Sequence, residues 1–485
     1  MKKLGMMDDT FLRLESRRQP LHVGMLMLFE PPAGAPGDFA TRLAEKLRQS
    51  TKAAPPFNWR LVRRNGLHYW REDSDFDLAH HFVHLALPEP GRVRELLSMV
   101  SRLHGGHLDR AYPLWRIYLI EGLEDGRIAV YLKIHHAVVD GVAGIRLLVK
   151  CMATNVEDSL HLPAFWEVET MKSDNAQPLP VPTPAVGGIA ALRSLTREGV
   201  KSVMPLLREL RSSIDDYRAA NPNLVIGGQA PRCLFNEPVT GTRRFAAQSY
   251  STPRIKAVAK AHEATSNDVI LAMCGGALRR YLAEVDTLPD APLIAGVPVS
   301  VRRRRSDAAG NEIAFTLAHL ATNIEDPVER LVAIKNCMQY NKERIKKLSP
   351  GQLTAYAATM MMPGALSGLL GRNPDKNLAN VIVSHVPGPR QHMFWQGARL
   401  SGLYPLSLII DGGALNITVI SRHDLVDFGL VACRKTVPHM QRILQYLEDS
   451  LAELEASSKP QPRSTGKAAI RKKTKPRPKN AKAGA

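Results

Sequence analysis

The stretch LKIHHAVVDGVAG (132–144) joins an apolar, strand-like segment to a helix-like one. In the segment RIAVYLKIHH (127–136), apolar residues alternate with others, which predicts a β-strand. After Gly141 the apolar spacing becomes that of a helix. His135 and His136 therefore lie where a strand ends, and a strand directs neighbouring side chains to opposite faces.

The two histidines could be a metal site, buried structural residues, or one working base with a scaffold around it. A shared metal ion is not expected, because the two side chains diverge and no cluster of Cys, His or carboxylates stands at ligand spacing. His136 continues the apolar face of the strand, and an imidazole in a dry cleft suits proton abstraction from an alcohol. The pattern His-His-x-x-x-Asp-Gly at a strand-to-helix junction therefore favours His136 as a general base.

The two residues that complete the pattern are expected to shape the loop. Asp140 is expected to pair with a cation rather than to carry a second proton, and Gly141 lets the backbone turn tightly near a ligand. The sequence contains no G-x-S-x-G elbow, P-loop or G-x-G-x-x-G. A histidine base without a protein nucleophile indicates that one substrate attacks the other directly.

Length and cysteine content limit the possible classes of protein. With 485 residues, the chain is expected to form two domains or two halves of one large unit. Its five cysteines are scattered, which disfavours a disulfide framework or zinc module and favours a reducing compartment. The N-terminus turns acidic before any long apolar run, so no secretory signal is expected. We therefore expect a cytoplasmic protein.

The net charge of +19 is concentrated at one end. Residues 456–485 hold ten Lys and Arg and no acidic residue, which leaves 55 basic and 46 acidic residues for the rest of the chain. This tail is expected to be disordered. It is either a solvated extension or an adhesive segment for anionic lipid head groups, and nucleic acid is not expected as a partner.

The pattern along the chain predicts mixed α/β structure. Residues 1–160 and 231–455 each alternate strand-like and helix-like segments, which include a strand at 406–410 (LSLII). Between them, 161–230 holds a Pro-rich linker and an amphipathic helix with a moderate basic excess, and 456–485 is the tail. The chain is thus divided into two subdomains, a connecting segment and a tail.

One uncharged stretch, 351–371, is long enough to span a bilayer. Pro363 and Gly364 interrupt it, and its Gln, Thr, Ser and Gly residues lower its hydropathy. A broken pair of buried helices is therefore favoured, and such a pair could line a lipid-shaped cavity. No transmembrane segment is expected.

Beyond these patterns, the sequence resembles HHxxxDG acyltransferases of the chloramphenicol-acetyltransferase and condensation-domain type. More narrowly, it resembles bacterial wax ester synthase/acyl-CoA:diacylglycerol acyltransferases, from about residue 4 to 455. The motifs that carry the resemblance are MDDTFLRLESRRQPLHVG (7–24), PLW (113–115), HHAVVDG (135–141), ND (267–268), GVPVSVR (296–302), SHVPGP (384–389), LNIT (415–418) and DFGL (427–430).

The resemblance implies two chloramphenicol-acetyltransferase-like subdomains, with mixed sheets flanked by helices and a substrate tunnel between them. It implies that His136, at the midpoint of the tunnel, deprotonates a fatty alcohol or the free hydroxyl of a diacylglycerol. The alkoxide would attack a fatty acyl-CoA thioester, and the imidazole would return the proton to the CoA thiolate. This implies no acyl-enzyme and no cofactor, since acyl-CoA is a substrate.

The same resemblance implies roles for residues around the base. His135 accompanies His136, and Asp140 is expected to pair with Arg302 from the other half as a structural contact. Asn267 is expected to stabilise the oxyanion or to orient substrate. Asp268 is expected to cap or anchor the helix that follows.

Other motif residues are assigned to packing or to substrate contact. Trp115 is expected to pack mainly in a core, with substrate contact as a second role, and Gly388 is expected in a turn near the tunnel. His385 stands where the family usually has Asn, which would alter the loop or the acceptor pocket. The cationic runs 303–305 and 342–347 are available for CoA phosphates, although such runs are usually solvated faces.

Two other functions compete with synthesis of a wax ester or a triacylglycerol. The same base could serve another hydroxyl acceptor, such as a polyketide, a glycolipid or a short alcohol. Alternatively, an inert protein could bind lipid droplets or membranes through its basic tail and amphipathic helix. The presence of His136, Asp140 and Asn267 together favours an enzyme, associated peripherally with the inner face of the membrane or with lipid inclusions.

Overall fold

Two six-stranded sheets organise the chain in the computed structural model, which describes residues 1–139, 141–169, 203–300, 313–348, 352, 356 and 377–458. The strands are Lys2–Lys3 (β1), His22–Glu30 (β2), Trp59–Arg64 (β3), Leu67–Glu72 (β4), Phe82–Ala86 (β5), Trp115–Glu121 (β6), Ile128–His135 (β7), Arg243–Ser251 (β8), Ile294–Ser300 (β9), Ile313–His319 (β10), Val381–Pro387 (β11), Phe394–Trp395 (β12), Ala398–Leu406 (β13), Leu415–Arg422 (β14) and Leu425–Cys433 (β15). The helices are Met6–Leu14 (α1), Phe39–Arg48 (α2), Val93–Gly105 (α3), Gly141–Lys150 (α4), Val156–Ser159 (α5), Val203–Arg218 (α6), Thr252–Ala261 (α7), Ser266–Val285 (α8), Pro327–Lys346 (α9) and Arg442–Ser458 (α10).

Both large sheets combine parallel and antiparallel strands. The first has the order β12-β13-β2-β7-β6-β5, in which only β5 and β6 run parallel. The second has the order β10-β9-β11-β14-β15-β8, in which β11 runs parallel to both β9 and β14. The predicted α/β class, with mixed sheets flanked by helices, is therefore confirmed, and the substrate tunnel stays a prediction.

Strand β7 lies inside the first sheet and is buried along its whole length. Val130 and Leu132 pack in a core that also contains apolar residues of α2 and α4. Tyr131, on the other face, packs in a core that includes much of the second half of the chain. Because both faces of the strand are covered, its end is firmly positioned, and the histidine pair stands at that end.

A strand from the second half of the chain completes the first sheet. Strand β13 pairs antiparallel with β2, with Arg399 opposite Glu30 and Leu406 opposite Gly24. The chain then returns to the second sheet at β14. The two sheets are thus connected by shared chain as well as by packing.

A buried carboxylate stabilises the contact between the sheets. Asp427 on β15 is fully buried and accepts hydrogen bonds from Ser249 Oγ at 2.5 Å and from the Leu403 N–H of β13 at 2.9 Å. Burial raises the pKa of Asp427, although the paired guanidinium of Arg422, 2.5 Å away, opposes that rise. Because an unpaired buried charge costs several kcal/mol, these contacts favour the observed packing of β13 against β15.

Most elements expected from local periodicity are present. The segments HVGMLMLFE and RIAVYLKIHH form β2 and β7, and NDVILAMCGGALRRYLAEV lies in α8. The strand expected at 406–410 is wrong, because β13 ends at Leu406 and the chain then turns, with a backbone bridge between Ile410 and Gly413. Ile409 is buried in this turn, whereas Ile410 is 41% exposed.

Other sequence predictions concern residues outside the described ranges. They include the Pro-rich linker with the first part of the amphipathic helix (170–202), most of 351–371 and the tail from 459 onward. The later part of the amphipathic helix is α6. Within the ranges given above, no helix is both long and apolar enough to cross a bilayer.

Candidate active site

The histidine pair lies at the carboxyl end of β7. His135 is the last residue of the strand, and His136 begins the turn that leads towards α4. The His135 N–H donates to Leu114 O at 2.9 Å, and the His136 N–H donates to Leu21 O at 3.1 Å. Two neighbouring segments therefore hold the backbone of the pair from different sides.

The imidazole of His135 is held in one orientation. It is 1% exposed, and the Ala137 N–H donates to its Nδ1 at 3.1 Å. Because Nδ1 accepts, a neutral ring carries its proton on Nε2. That nitrogen lies 3.6 Å from Glu15 Oε1, so the ring N–H is directed towards a carboxylate.

Glu15, directly after α1, connects several groups around His135. Its carboxylate accepts a hydrogen bond from the Leu21 N–H at 3.1 Å and pairs with Arg110 Nη2 at 2.8 Å. His107 Nδ1 lies 3.6 Å from the same carboxylate. Burial alone would raise the pKa of Glu15, but His135, Arg110 and the Leu21 N–H together lower it to about 2. Glu15 is therefore ionised at neutral pH and faces the buried ring of His135.

His136 has different surroundings from its neighbour. Its side chain is half-buried, and its ring stacks on Phe11 with 4.2 Å between centroids and 28° between planes. Phe11 lies one helical turn before Glu15, and the Glu15 N–H donates to the Phe11 carbonyl at 3.1 Å. Helix α1 and the residue that follows it therefore face both histidines, with the Phe11 ring at His136 and the Glu15 carboxylate at His135.

The remaining part of the HHxxxDG pattern is only partly described. Gly141 is the first residue of α4, so the strand-to-helix junction is present where the sequence predicts it. Asp140 and Arg302 lie outside the described residues. Their expected ion pair therefore stays a prediction.

Asn267 and Asp268 lie in the first turn of α8. Thr265 is the N-cap residue and forms a capping box with Asp268, since the Thr265 N–H donates to Asp268 Oδ2 at 2.9 Å and the Asp268 N–H donates to Thr265 Oγ1 at 3.3 Å. Asn267 is half-buried, and no hydrogen bond within the described ranges joins it to His136. Asp268 thus anchors the helix start, and the role expected for Asn267 stays a prediction.

Trp115 lies inside the first core, at the start of β6. Its side chain is 1% exposed, stacks on His81 and Trp166, and donates from Nε1 to Phe57 O at 2.7 Å. Burial lowers the pKa of His81 to about 4, so a neutral imidazole packs against the indole. These contacts are those of a packing residue.

His385 and Gly388 lie where β11 ends beside β14. His385 Nε2 is 2.6 Å from Ser421 Oγ, and burial lowers the pKa of His385 to about 4. The Gly388 N–H donates to Ser421 O at 2.8 Å, and a Cβ on Gly388 would lie 2.6 Å from Ile420 Cγ2. Glycine is therefore required at 388 by the close approach of the two strands.

Of the two cationic runs, only 342–347 lies within the described residues. Residues 303–305 lie outside the described ranges, and 342–347 ends α9 and continues just past it. In the latter run, Arg344 pairs with Asp216 at 3.1 Å, and Lys342 lies 3.9 Å from Asp268. In the part of the chain that is described, no group of three His, Cys, Asp or Glu side chains is close enough to hold a metal ion.

Three residues of the site were not assigned from sequence: Phe11, Glu15 and Arg110. Phe11 and Glu15 stand four residues apart in MDDTFLRLE, a spacing that places both on one side of a helix. That spacing could have linked them to one site. Arg110 lies in a loop, and no local pattern marks its contact with Glu15.

Comparison with known proteins gives matches over nearly the whole chain. The family model for the wax ester synthase/diacylglycerol acyltransferase catalytic domain matches residues 4–270, and the model for the WS/DGAT C-terminal domain matches 309–455. An O-acyltransferase WSD of Acinetobacter baylyi is 43% identical, over 93% of this chain and 96% of its own length. A putative diacylglycerol O-acyltransferase of Mycobacterium tuberculosis is also 43% identical, over 92% of this chain and 98% of its own.

Solved structures agree with these matches. A wax ester synthase/diacylglycerol acyltransferase from Marinobacter aquaeolei VT8 superimposes with a TM-score of 0.77 and 41% identity, covering 94% of this chain and 100% of its own. The first condensation domain of the calcium-dependent antibiotic synthetase covers 94% of this chain and 96% of its own, with a TM-score of 0.56. At 14% identity, that second likeness concerns the fold alone, and it agrees with the predicted architecture. The chain therefore belongs to the wax ester synthase/diacylglycerol acyltransferase family.

Proposed function

We propose that the protein transfers a fatty acyl group from acyl-CoA to the hydroxyl of a long-chain alcohol, a diacylglycerol, or both, with His136 as the general base. The observation that carries this assignment is the contrast within the histidine pair. His135 is fully buried and faces a carboxylate, whereas His136 is half-buried and stacked on Phe11. Of the two, His136 is the imidazole that a substrate can approach.

The proposed reaction is a direct transfer. His136 accepts the hydroxyl proton of the alcohol while the oxygen attacks the thioester carbon. The tetrahedral intermediate then collapses, the carbon–sulfur bond breaks, and the imidazolium returns the proton to the CoA thiolate. The products are an ester and free CoA, and no acyl-enzyme forms. Because the thioester is already activated, the reaction needs no cofactor.

Other residues have supporting roles in this proposal. Asn267 is assigned to the oxyanion or to orientation of the substrate, since an amide N–H donates to developing negative charge. Asp140 and Arg302 are assigned to a structural ion pair. Glu15 and His135 support the end of β7, so that His136 keeps its position when it gains a proton.

The proposal names a class of acceptor, a hydroxyl next to long apolar chains, rather than one compound. The names of the relatives refer to wax ester synthesis and to diacylglycerol acylation, and both acceptors present one hydroxyl beside long apolar chains. The proposed reaction requires only that hydroxyl and space for the chains. Both acceptors therefore belong in the same assay.

The protein is also proposed to act in the cytoplasm, at the surface of the membrane or of lipid inclusions. Helix α6 supports this location, because Ile214 and Tyr217 on it are 52% and 58% exposed. The basic residues of 456–485 add attraction to anionic lipid head groups. Such contact brings the enzyme to the phase in which both acceptors dissolve.

The test measures CoA release by the purified protein from palmitoyl-CoA, with hexadecanol or dioleoylglycerol as the acceptor. We expect acceptor-dependent release that falls by roughly 10²–10⁴-fold in His136→Ala, the usual contribution of base catalysis. The control His161→Ala changes an exposed histidine and should keep full activity. Release that does not depend on either acceptor, or that survives in His136→Ala, would contradict the proposal.

A further inference from the structure

A cleft of about 930 Å³ opens between the 15–21 loop and the second half of the chain. One wall carries Arg17 and Arg18, and the other is formed by 237–242 together with Lys435 and Thr436. This volume is in the range of small-molecule sites, roughly 300–1,000 Å³. We call this feature the cation cleft.

Hydrogen bonds connect the two walls of the cation cleft. Ser16 and Gln19 bridge each other, so Arg17 and Arg18 stand at the tip of a tight turn. The buried guanidinium of Arg243 donates to Arg18 O at 2.8 Å and also to Thr240 O. These bonds fix the two walls of the cleft relative to each other.

Asp411 adds a second connection between the walls. Gln19 Nε2 donates to Asp411 Oδ2 at 3.0 Å, and the Asp411 N–H donates to Gln19 Oε1 at 3.2 Å. The Val239 N–H donates to the other carboxylate oxygen, Oδ1, at 2.8 Å. A turn of the first half and a loop of the second half are thus held by one carboxylate.

The charges that line the cleft are largely uncompensated. Arg17, Arg18 and Lys435 have no carboxylate within ion-pair distance in the described part of the chain. Glu237, the acidic residue of the lining, pairs with Arg232 at 3.2 Å. A surface that keeps several cations together without partners favours an anion with more than one charge.

The buried guanidinium of Arg243 adds positive charge next to the cleft walls. Arg243 is 5% exposed, and its described hydrogen bonds go to backbone carbonyls, while the nearby Asp411 carboxylate offsets part of its charge. The threonine hydroxyls of the lining already have partners, since Thr436 Oγ1 donates to Pro238 O at 3.3 Å and the hydroxyls of Thr240 and Thr242 lie 3.0 Å apart.

The cleft is close to the histidine pair along the chain. The loop that carries Arg18 ends at Leu21, whose carbonyl accepts the His136 N–H at 3.1 Å. Leu21 is the third residue after Arg18, so their Cα atoms are at most roughly 11 Å apart. An extended pantetheine arm can bridge such a gap between a thioester at His136 and phosphates in the cleft.

We propose that the cation cleft binds the phosphate groups of the CoA part of the acyl donor. This inference rests on the proposed function, since it places one end of the donor while His136 acts at the other. The nucleotide end of CoA carries a diphosphate and a phosphomonoester, and several cations meet several negative charges there. Among the sequence-predicted cationic runs, 342–347 is less suited, because Arg344 pairs with Asp216.

The test uses the full chain with Arg17→Gln, Arg18→Gln and Lys435→Gln combined, which we call the cleft variant. Lauroyl-CoA and lauroyl-pantetheine serve as donors, because the second lacks all phosphates and the shorter acyl chain keeps it in solution. We expect the KM for lauroyl-CoA to rise at least tenfold while the KM for lauroyl-pantetheine changes less than twofold. CoA affinity, measured by calorimetry without turnover, should fall at least tenfold.

A matched control removes the same charge elsewhere. Lys52, Lys256 and Lys260 are exposed, and the last two lie on α7, at the opposite end of β8 from Arg243. Their combined change to Gln should leave KM and CoA affinity within twofold of the unmodified protein. Equal losses in the cleft variant and the control, or equal losses with both donors, would overturn the proposal.

Anionic lipid head groups are the other source of phosphate. Co-sedimentation with phosphatidylglycerol vesicles separates the two, and we expect the cleft variant to bind vesicles as well as the unmodified protein does. Loss of vesicle binding with unchanged CoA affinity would overturn the proposal. If CoA binds through the cleft but no acceptor is acylated, the proposed function fails while the cleft assignment is supported.

Discussion

The Glu15 carboxylate lies 3.6 Å from Nε2 of the buried His135 ring, whereas the neighbouring His136 ring stacks on Phe11. The proposed mechanism therefore gives the two histidine rings different roles. The buried ring of His135 packs at the end of the strand, and His136 is the proposed base.

Glu15→Gln tests this division of tasks. The amide keeps the size of the side chain but removes the charge that faces the His135 ring. We expect kcat to fall about tenfold, which corresponds to about 1.4 kcal/mol, while KM for the acyl donor changes less than twofold. Steady-state kinetics measure both values. Glu15→Asp should recover part of kcat because it restores the charge.

The matched control for that change is Glu121→Gln. Glu121 Oε1 lies 3.2 Å from His84 Nε2, so it is another carboxylate–imidazole pair, on strands at the edge of the same sheet. We expect its kcat to equal that of the unmodified protein. If the kcat of Glu15→Gln equals that of the unmodified protein, the carboxylate has no influence on His136.

Phe11→Leu tests the stack on His136. The rings are 4.2 Å apart, and an aromatic pair of this kind contributes about 0.5–1.5 kcal/mol. We expect kcat to fall roughly 2- to 10-fold, because the imidazole gains freedom away from the reactive orientation. The control is Phe76→Leu, which removes a stack on His81 at 5.1 Å and should lower stability without lowering kcat. Equal kcat losses in the two variants would contradict a specific role for Phe11.

His385 predicts a dependence of stability on pH. Burial lowers the pKa of His385 to about 4 in the folded protein, whereas an unfolded histidine titrates near 6.5. Below pH 6.5 the unfolded chain gains a proton that the folded chain does not, so the free energy of unfolding decreases until about pH 4. Above pH 6.5 neither state binds the proton, and this contribution is constant.

His385→Asn should therefore reduce the acid sensitivity. Between pH 7 and pH 4.5 we expect the variant to lose about 1–2 kcal/mol less stability than the unmodified protein, measured by urea unfolding at each pH. His104, with a pKa of about 3, remains in both proteins and keeps some acid sensitivity. The exposed His161→Asn serves as the control and should change nothing. A larger acid loss in His385→Asn would reverse the sign and refute the explanation.

Gly429→Ala tests the contact between the sheets. Gly429 on β15 faces Pro405 on β13, and a Cβ there would overlap the Pro405 carbonyl oxygen. The strands would have to separate, which we expect to lower the free energy of unfolding by about 3 kcal/mol or more. Gly37→Ala, where a Cβ would meet nothing within 4 Å, should change it by less than about 0.5 kcal/mol. Similar stabilities for both variants in urea would contradict the close approach.

Local sequence patterns predicted the elements that carry the histidine pair. The alternation in β7 and the helical spacing after Gly141 depend on neighbours along the chain, and the structure has both elements there. The contact between Glu15 and His135 depends on distant segments, and no periodicity marks it. For the same reason, local patterns do not indicate a partner for Asp140, and Arg302 is expected only from the family resemblance.

Strand β13 shows how a local pattern can mislead. Gly402 and Pro405 interrupt its apolar character, so the neighbouring LSLII is the more strand-like segment by composition. The strand nevertheless forms at Ala398–Leu406, because β2 pairs with it there and the Leu403 N–H donates to the buried Asp427 carboxylate. Membership of a sheet is thus decided by partners that lie far away in sequence.

The pairing of β2 with β13 also has a consequence during synthesis on the ribosome. Glu30 and its partner Arg399 are separated by 369 residues. At about 5–20 residues per second, the edge of β2 waits roughly 20–70 seconds for the strand that covers it. During that interval the nascent chain presents an open edge of the kind that attracts other strands. A fragment that stops at residue 270 would keep this edge open permanently, so aggregation is the expected fate of the first half produced alone.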